Sequence, residues 1–261
     1  MTILQKIFAT KRAELDVARL RVSPSEMRAR ANDSPPRKGF IKALQGSPNP
    51  IALIAEVKKA SPSQGLIVNG EFDPVAIAQA YEQVGADCLS VLTDEQYFGG
   101  SLSYLTAVRS AVNLPLLRKD FVFDPYQIDE AIVAGADCIL LIVAGIDRSA
   151  LFDCYAYATN CGLDVLVEVH NEAEAAVAAE LNPRMVGINN RDLATFEVDI
   201  ETTERLIGLL PKQSLKVSES ALHAYEDVVR VRSYGANAVL IGTAFCESPD
   251  IAVRVREVMN W

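Results

Sequence analysis

Short apolar runs of five to seven residues recur along the chain at 51–57, 88–92, 114–118, 138–143, 164–168, 185–189, 214–218 and 238–242. Turn-forming Gly, Pro, Asn and Asp bound them, so they predict strands. They are rich in Val, Ile and Leu on both alternating faces, as parallel strands covered on two sides should be. Between them, 75–84, 126–134, 172–181 and 225–233 carry the three-to-four residue spacing of amphipathic helices. The order is strand, helix, strand, helix, eight times over.

The chain also repeats itself. Val84-Gly85-Ala86-Asp87-Cys88-Leu89 returns as Ala134-Gly135-Ala136-Asp137-Cys138-Ile139 and as Tyr234-Gly235-Ala236-Asn237-Ala238-Val239. Phe72-Asp73-Pro74 returns as Phe123-Asp124-Pro125. Asp before Pro can cap a helix whose first position tolerates the missing N–H. Gly85, Gly135 and Gly235 then stop helices and feed strands. The period of about 50 residues holds two strand-helix units. A closed ring suits this duplication better than an open sheet with unlike edges, and no G-x-G-x-x-G follows any strand to support a dinucleotide site. The expected fold is α/β, a (β/α)8 barrel spanning 1–261 as one domain.

Residues 1–50 precede the first strand. Leu4, Ile7, Phe8 and Leu15 fall near helical spacing, and Ser23-Pro24-Ser25-Glu26 reads as a capping box opening a second helix. Polar, proline-containing 32–39 reads as a loop. The segment is too small for its own core and is expected to be a helical extension, or lid, of the barrel.

In such a barrel, function sits where strands run out into the following loops. Strand 1 ends Ile54-Ala55-Glu56-Val57-Lys58, so alternation aims Glu56 and Lys58 inward with Ile54. Lys119 is in phase with Leu117 on strand 3, and Glu168 with Leu166 on strand 5. On strand 7 the same reading turns Lys216, Ser218 and Ser220 inward, and Glu219 outward. All are odd-numbered strands, which share layers of the barrel interior. Taken singly, each charge could be a structural ion pair plugging the barrel top. Two Lys and two Glu converging favour proton transfer near neutral pH.

The loops after strands 7 and 8 are where such barrels hold phosphate on backbone N–H groups. Gly242 allows close backbone approach, and Ser220 and Thr243 offer hydroxyls; a plain tight turn at Gly242 is the alternative. Asn189-Asn190-Arg191-Asp192 after strand 6 adds donors at the same rim, or simply forms a capped turn.

Composition narrows the partners. A net charge of −9 argues against nucleic acid, since that affinity needs clustered Lys and Arg. No apolar run approaches the ~20 residues of a membrane span. The charged first twenty residues leave no room for a signal-peptide core. Five cysteines, an odd number without metal-knuckle spacing, fit a reducing, cytoplasmic setting. Cys88 and Cys138, inside apolar runs, read as buried hydrophobes. His170 and His223 are too few and too isolated for a metal site.

These residues resemble a known family. Glu56-Val57-Lys58-Lys59-Ala60-Ser61-Pro62-Ser63, Leu117-Arg118-Lys119-Asp120-Phe121, Leu166-Val167-Glu168-Val169-His170, Ile188-Asn189-Asn190-Arg191-Asp192-Leu193 and Ser218-Glu219-Ser220 look like indole-3-glycerol phosphate synthase of tryptophan biosynthesis. Thr93-Asp94-Glu95-Gln96-Tyr97-Phe98-Gly99-Gly100 fits too. The first segment is the most specific, and the likeness runs from the N-terminal helices to strand 8. It implies a lyase that closes an indole ring on 1-(o-carboxyphenylamino)-1-deoxyribulose 5-phosphate, with loss of carbon dioxide and water. It also implies no cofactor and no metal, with a small phosphorylated molecule as the ligand. The chain is expected to be a monomer or a weak homo-oligomer.

By this resemblance Lys119 is the general acid, Glu168 transfers protons in dehydration, and Lys58 is a second acid near the phosphate. Glu56 and Asn189 position these groups. Ser218, Glu219, Ser220, Ala221, Gly242 and Thr243 surround the substrate and its phosphate. Phe98 and Phe121 wall the aromatic ring, with Ser61 and Arg191 at the rim. Two positions depart from the family pattern: Ala221 stands where Gly is usual, and Thr243 where Glu or Ser is common. A Cβ at 221 would crowd a phosphate oxygen if the backbone there has positive φ. The rivals are a phosphoribosylanthranilate isomerase-like barrel, which needs no strand-1 Glu/Lys pair, and a non-catalytic barrel that binds phosphorylated ligands.

Overall fold

The computed structural model describes residues 2–68, 71–193 and 195–261. Eight parallel strands close into a barrel: β1 (Ala52–Val57), β2 (Cys88–Leu92), β3 (Leu116–Lys119), β4 (Cys138–Ile142), β5 (Asp164–Val169), β6 (Met185–Asn189), β7 (Leu215–Glu219) and β8 (Ala238–Ile241). Each pairs with its sequence neighbour, and β1 pairs with β8 to shut the ring. The expected (β/α)8 barrel is what forms. The strand starting at 114 in the apolar pattern begins at Leu116 instead, after Pro115, which has no N–H to give a ladder.

Three helices precede the barrel: α1 (Ile3–Arg21), α2 (Pro24–Asn32) and α3 (Phe40–Gln45). Then come α4 (Pro74–Gln83), α5 (Glu95–Phe98), α6 (Leu102–Ala111), α7 (Pro125–Val133), α8 (Arg148–Asn160), α9 (Glu172–Leu181), α10 (Glu201–Ile207), α11 (Tyr225–Tyr234), α12 (Thr243–Cys246) and α13 (Ile251–Met259). Asp73 and Asp124 cap α4 and α7 with Pro at the first turn, as the repeated Phe-Asp-Pro predicts. Ser23 caps α2 by accepting from Glu26 N.

The repeated Gly-Ala-Asp has a visible cause. Gly85, Gly135 and Gly235 take φ of 90°, 93° and 108°, where a side chain would be strained. Two residues later, the side chain accepts a backbone N–H from the preceding strand: Asp87 from Leu53 (2.8 Å), Asp137 from Leu116 (2.9 Å) and Asn237 from Lys216 (2.9 Å). The N–H groups of residues 87, 137 and 237 donate back to the carbonyls of the same three residues. Each repeat thus ties the entry of one strand to its neighbour at the barrel floor.

Two large apolar cores result, with a small third cluster of Leu15, Met27 and Tyr126 beneath α1 and α2. The larger lies between strands and helices; the other fills the barrel from Ala52, Ile54 and Cys88 through Leu117, Leu140, Leu166, Val217 and Leu240. Helix α3, which the apolar pattern does not announce, plugs the floor of this inner core with Phe40, Ile41 and Leu44. Burying a side chain such as Phe40 contributes about 1.5–3 kcal/mol. Asp164 reinforces the plug by accepting from Ile41 N at 2.9 Å.

Helix α1 lies at the opposite end. Thr2 and Gln5 cap it reciprocally. Phe8 packs edge-on against Phe121 with centroids 5.7 Å apart, and a Cβ at Gly145 would collide with its ring. Lys11, fully on the buried stripe, pairs with Asp94 at 2.9 Å and Asp120 at 3.1 Å. Among the described residues no helix is long and apolar enough to cross a membrane.

Candidate active site

The inner faces of alternate strands stack in layers, and the topmost odd-strand layer is charged. Glu56 on β1, Lys119 on β3, Glu168 on β5 and Glu219 on β7 each sit two residues above Ile54, Leu117, Leu166 and Val217 of the inner core. Lys119 Nζ lies 2.7 Å from Glu219 Oε2 and 3.5 Å from Glu168 Oε2. Lys58 Nζ lies 2.8 Å from Glu56 Oε2. All five side chains line one cavity at the strand C-terminal ends.

Glu219 corrects the sequence-based phase of β7. Leu215 and Val217 face the barrel core, so Glu219 points inward, against Lys119. Ser218 and Lys216 point outward instead. Ser218 Oγ is buried under α10, 2.7 Å from Thr203 Oγ1 and 3.0 Å from Asn190 Nδ2, and it does not reach the cavity. Lys216 Nζ donates to Ser214 O at 2.9 Å. Both faces of a barrel strand are buried, so alternation alone leaves the phase open. The two apolar residues, rather than the Lys and Ser, mark the inner face.

Glycines make room for this layer. A Cβ at Gly242 would collide with Glu56 Oε2, and one at Gly187 with Glu219 Oε1. The sequence assigns Gly242 to a phosphate cradle; in the structure its missing side chain makes room for the Glu56 carboxylate.

One ammonium facing three carboxylates sets the protonation pattern. Burial works against the charge of Lys119, yet Glu219, Glu168 and Glu56 hold its pKa well above the ordinary lysine range. Burial likewise opposes ionisation of Glu168, but Lys119 and His170 overcome it and hold the carboxyl low. For Glu219 burial prevails, reinforced by the Glu168 charge, and its pKa is raised. Burial also opposes the charge on Glu56, which Lys58 and Lys119 pull below its usual value. Two like carboxyls pushed in opposite directions are a means of giving one fold an acid and a base together.

The rest of the cavity wall is assembled from loops. Asn189 lines it at the end of β6 and accepts from Arg191 N at 3.0 Å. Arg191 lines it too, its guanidinium donating to Phe196 O. Asn190, by contrast, faces away and accepts from Thr203 N and Thr203 Oγ1. Ser61 lines the cavity beside Ser63. Phe98 and Phe121 form an aromatic wall, 5.9 Å between centroids, and Ile3, Leu4 and Ile7 of α1 close over it. Ser220, Ala221, Gly242 and Thr243 line the far side. Ser220 and Ala221 take φ of 66° and 58°, the left-handed region that usually goes to glycine.

Two residues of consequence carry no predicted role. Lys11 falls on the helical stripe between Ile7 and Leu15, which is its signal in the sequence. His170 follows Glu168 by two residues, hence on the same side of the chain. It sits 3.2 Å from Glu168 Oε1 and 2.9 Å from Glu174 Oε2. Burial opposes its charge, but these two carboxylates raise its pKa to about 10.

The fold and this site define a class: a (β/α)8 barrel with a buried lysine–glutamate cluster at the strand C-terminal ends, facing the loops after β7 and β8. Comparison with known proteins narrows it. A family profile for indole-3-glycerol phosphate synthase matches residues 4–258, so the chain belongs to that family of carboxy-lyases. The chain is 47% identical over 265 residues to the indole-3-glycerol phosphate synthase of Roseiflexus sp. (strain RS-1), covering 98% of each chain. It is 46% identical over 263 residues to that of Polaromonas naphthalenivorans (strain CJ2), covering 99% of this chain and 98% of the other. Solved structures share the fold at low identity. A 3-hexulose-6-phosphate synthase from Salmonella typhimurium superposes at TM-score 0.61 and 13% identity, over 80% of this chain and 97% of that one. A mutant tryptophan synthase alpha-subunit from Pyrococcus furiosus gives TM-score 0.58 and 12% identity, over 80% and 98%.

Proposed function

We propose that this cavity closes the indole ring of 1-(o-carboxyphenylamino)-1-deoxyribulose 5-phosphate, releasing carbon dioxide and water to give indole-3-glycerol phosphate. The observation that carries the reading is the Lys119–Glu168–Glu219 cluster, an acid and a base within one buried layer beside an aromatic wall and an anion cradle. Lys119 donates to the substrate carbonyl as the ring carbon attacks, because its three carboxylate neighbours keep it protonated at rest. Decarboxylation restores the aromatic ring. Glu168, held ionised, accepts a proton in the dehydration that follows. Lys58, oriented by Glu56, donates to the departing hydroxyl. Asn189 positions Glu168 and the substrate.

The phosphate lies against the backbone of Ser220 and Ala221 and the start of α12. The first N–H groups of a helix have no intrahelical acceptor, and Thr243 begins that turn. Phe98 and Phe121 stack on the carboxyphenyl ring, with Ser61 and Arg191 at the rim. Helix α1, latched by Lys11 to Asp94 and Asp120, acts as a lid that excludes water from the reaction. Residues 1–261 serve as one functional unit, the lid being part of the barrel's site. We place the reaction in the cytoplasm, with a monomer sufficient because one chain supplies every group named. Neither a metal nor a cofactor takes part in any of these steps.

The test is direct. Adding the carboxyphenylamino-ribulose phosphate to the purified protein produces indole fluorescence together with one equivalent of carbon dioxide. Absence of fluorescence with intact, folded protein would overturn the assignment. Product from the phosphoribosylated anthranilate instead would move the chain to the isomerase-like alternative.

A further inference from the structure

Glu168 has two unlike oxygens. Oε1 faces His170 Nε2 at 3.2 Å. Oε2 is buried without a hydrogen-bond partner, and its nearest cation is Lys119 at 3.5 Å. A bare carboxylate oxygen inside a protein is costly, commonly about 1–3 kcal/mol or more for a charged group, so a fold keeps one where it is used.

His170 is itself held from behind. Its Nδ1 lies 2.9 Å from Glu174 Oε2, and the same oxygen accepts the His170 backbone N–H at 2.9 Å. Glu174 is pinned in turn by Asn171, whose Nδ2 donates to Oε1 and whose Oδ1 accepts from Glu174 N at 3.0 Å. Asn171 is the N-cap of α9, so the whole assembly hangs on one helix start. Nδ1 is hydrogen-bonded to Glu174, while Nε2 meets Glu168 Oε1 as an ion pair rather than an aligned hydrogen bond, so the two carboxylates hold the ring charged between them.

The ring borders a second cavity, shared with Arg12 of α1, Asn171, Glu174 and Asp192. Arg12 lies over the Phe123 ring instead, 5.4 Å from its centroid. Across Glu168, the facing charges are Lys119, Glu219 and Glu56.

We propose that His170, braced by Glu174, is a positioning residue that clamps Glu168 Oε1 and so presents the free Oε2 to the reacting carbon. The clamp does two things. It fixes the rotamer of the base, and its positive charge keeps that base ionised after Lys119 has spent its proton on the substrate. Such carboxylate–histidine supports tune a reacting group without touching the substrate. The inference rests on the role assigned to Glu168 above.

The pH profile of kcat/KM tests it, because the acid limb reports the base of the free enzyme. His170→Asn keeps a hydrogen-bond donor and removes the cation. Removing a cation raises the Glu168 pKa, so the acid limb moves to higher pH by about one unit. On the plateau, kcat falls about 10-fold while KM stays within about twofold. Glu174→Gln keeps the ring in place and weakens its charge, so it moves the limb the same way by less. This second variant carries the test if His170→Asn fails to fold. An unmoved acid limb with unchanged kcat in either folded variant overturns the proposal. A rise in KM with kcat and the limb unchanged also overturns it, since that marks a merely structural role. If wild-type protein makes no indole product, it is the functional reading that fails, not this one.

Discussion

The two ends of the barrel use the same residue types for opposite purposes. At the floor, Asp87, Asp137 and Asp164 are met by backbone N–H groups: Leu53 for the first, Lys38 and Leu116 for the second, Ile41 for the third. Each carboxylate there closes a gap between chain segments, and Arg109 and Arg184 add an ion pair to Asp137 at 3.0 Å and to Asp164 at 3.1 Å. At the mouth, Glu56, Glu168 and Glu219 face one another across Lys119, with Glu168 Oε2 and Glu219 Oε1 left without hydrogen bonds. Backbone N–H groups have nothing to lose or gain at neutral pH, so the floor is electrostatically fixed. At the mouth the carboxylates are neutralised by side chains that themselves titrate, so charge there can be redistributed among neighbours. A buried acid is structural or chemical according to what neutralises it.

The sharpest way to break this contrast is Lys119→Ala. It removes the acid and leaves three carboxylates in one buried layer. Turnover measured by indole fluorescence falls by about 10²–10⁴-fold, the usual span for a general acid. The remaining carboxyls take up protons to relieve the repulsion, which potentiometric titration detects as proton uptake relative to wild type. Turnover within tenfold of wild type would remove Lys119 from the chemistry.

Asp137→Ala probes the other end. It strands the N–H groups of Lys38 and Leu116 and removes the Arg109 pairing at 3.0 Å. The expected loss is about 2–4 kcal/mol in urea denaturation, since each abandoned buried group costs about 1–3 kcal/mol. The kcat of the molecules still folded stays near wild type. A large kcat loss without a stability loss would mean the ends are not separable.

Stability against pH separates the carboxylates of the mouth from each other. Glu168 has a lowered folded pKa, so its contribution is present above the unfolded value of ~4.3 and disappears as pH falls further. Glu219 has a raised folded pKa, so its contribution is complete below that unfolded value and is lost as pH climbs through the folded one. Glu219→Gln removes only the second effect. Between pH about 4 and about 7 the variant therefore gains stability relative to wild type as pH rises, and the difference levels off above that window. A difference that stays flat, or slopes the other way, would show that Glu219 is not the carboxyl carrying the shared proton.

What the sequence reveals follows the same division. The floor is legible in its repeat, because Gly85, Gly135 and Gly235 at fixed positions stop a helix and feed a strand in each copy, while the Asp and Asn bonds across that floor and the α3 plug are seen only in the fold. The mouth is legible where an apolar residue sets the phase, as Ile54, Leu117 and Leu166 do for Glu56, Lys119 and Glu168. On β7 the polar Lys216 and Ser218 compete with Leu215 and Val217 for the same inference, and the sequence-based phase follows the wrong pair. His170 and Lys11 escape for a different reason. Lys11 is a charge on an apolar stripe whose partners Asp94 and Asp120 lie 83 and 109 residues away, and His170 repeats the inward phase of Glu168, a signal that alternation carries but that a lone histidine does not turn into a role. Helix α3 escapes because six residues show less than two turns of period.

The smallest effect concerns the cradle beside that mouth. Ala221 has φ of 58°, and its neighbour Ser220 has φ of 66°, so two side-chain-bearing residues in succession occupy left-handed backbone. That conformation costs roughly 1–2 kcal/mol per residue bearing a Cβ. A glycine at 221 relieves the strain but gives the unfolded chain more freedom, which returns about half of the gain. Ala221→Gly is therefore expected to stabilise the protein by only about 0.5–1 kcal/mol in urea denaturation. If the strained pair also shapes the phosphate cradle, inhibition by inorganic phosphate tightens by twofold to about fivefold, because the missing Cβ opens space for an oxygen. An increase in stability with unchanged phosphate inhibition would confine the strain to the fold. A decrease in stability would mean that the Ala221 methyl group makes contacts worth more than the backbone strain, and the comparison between a fixed floor and a strained, working mouth would lose its last support at this loop.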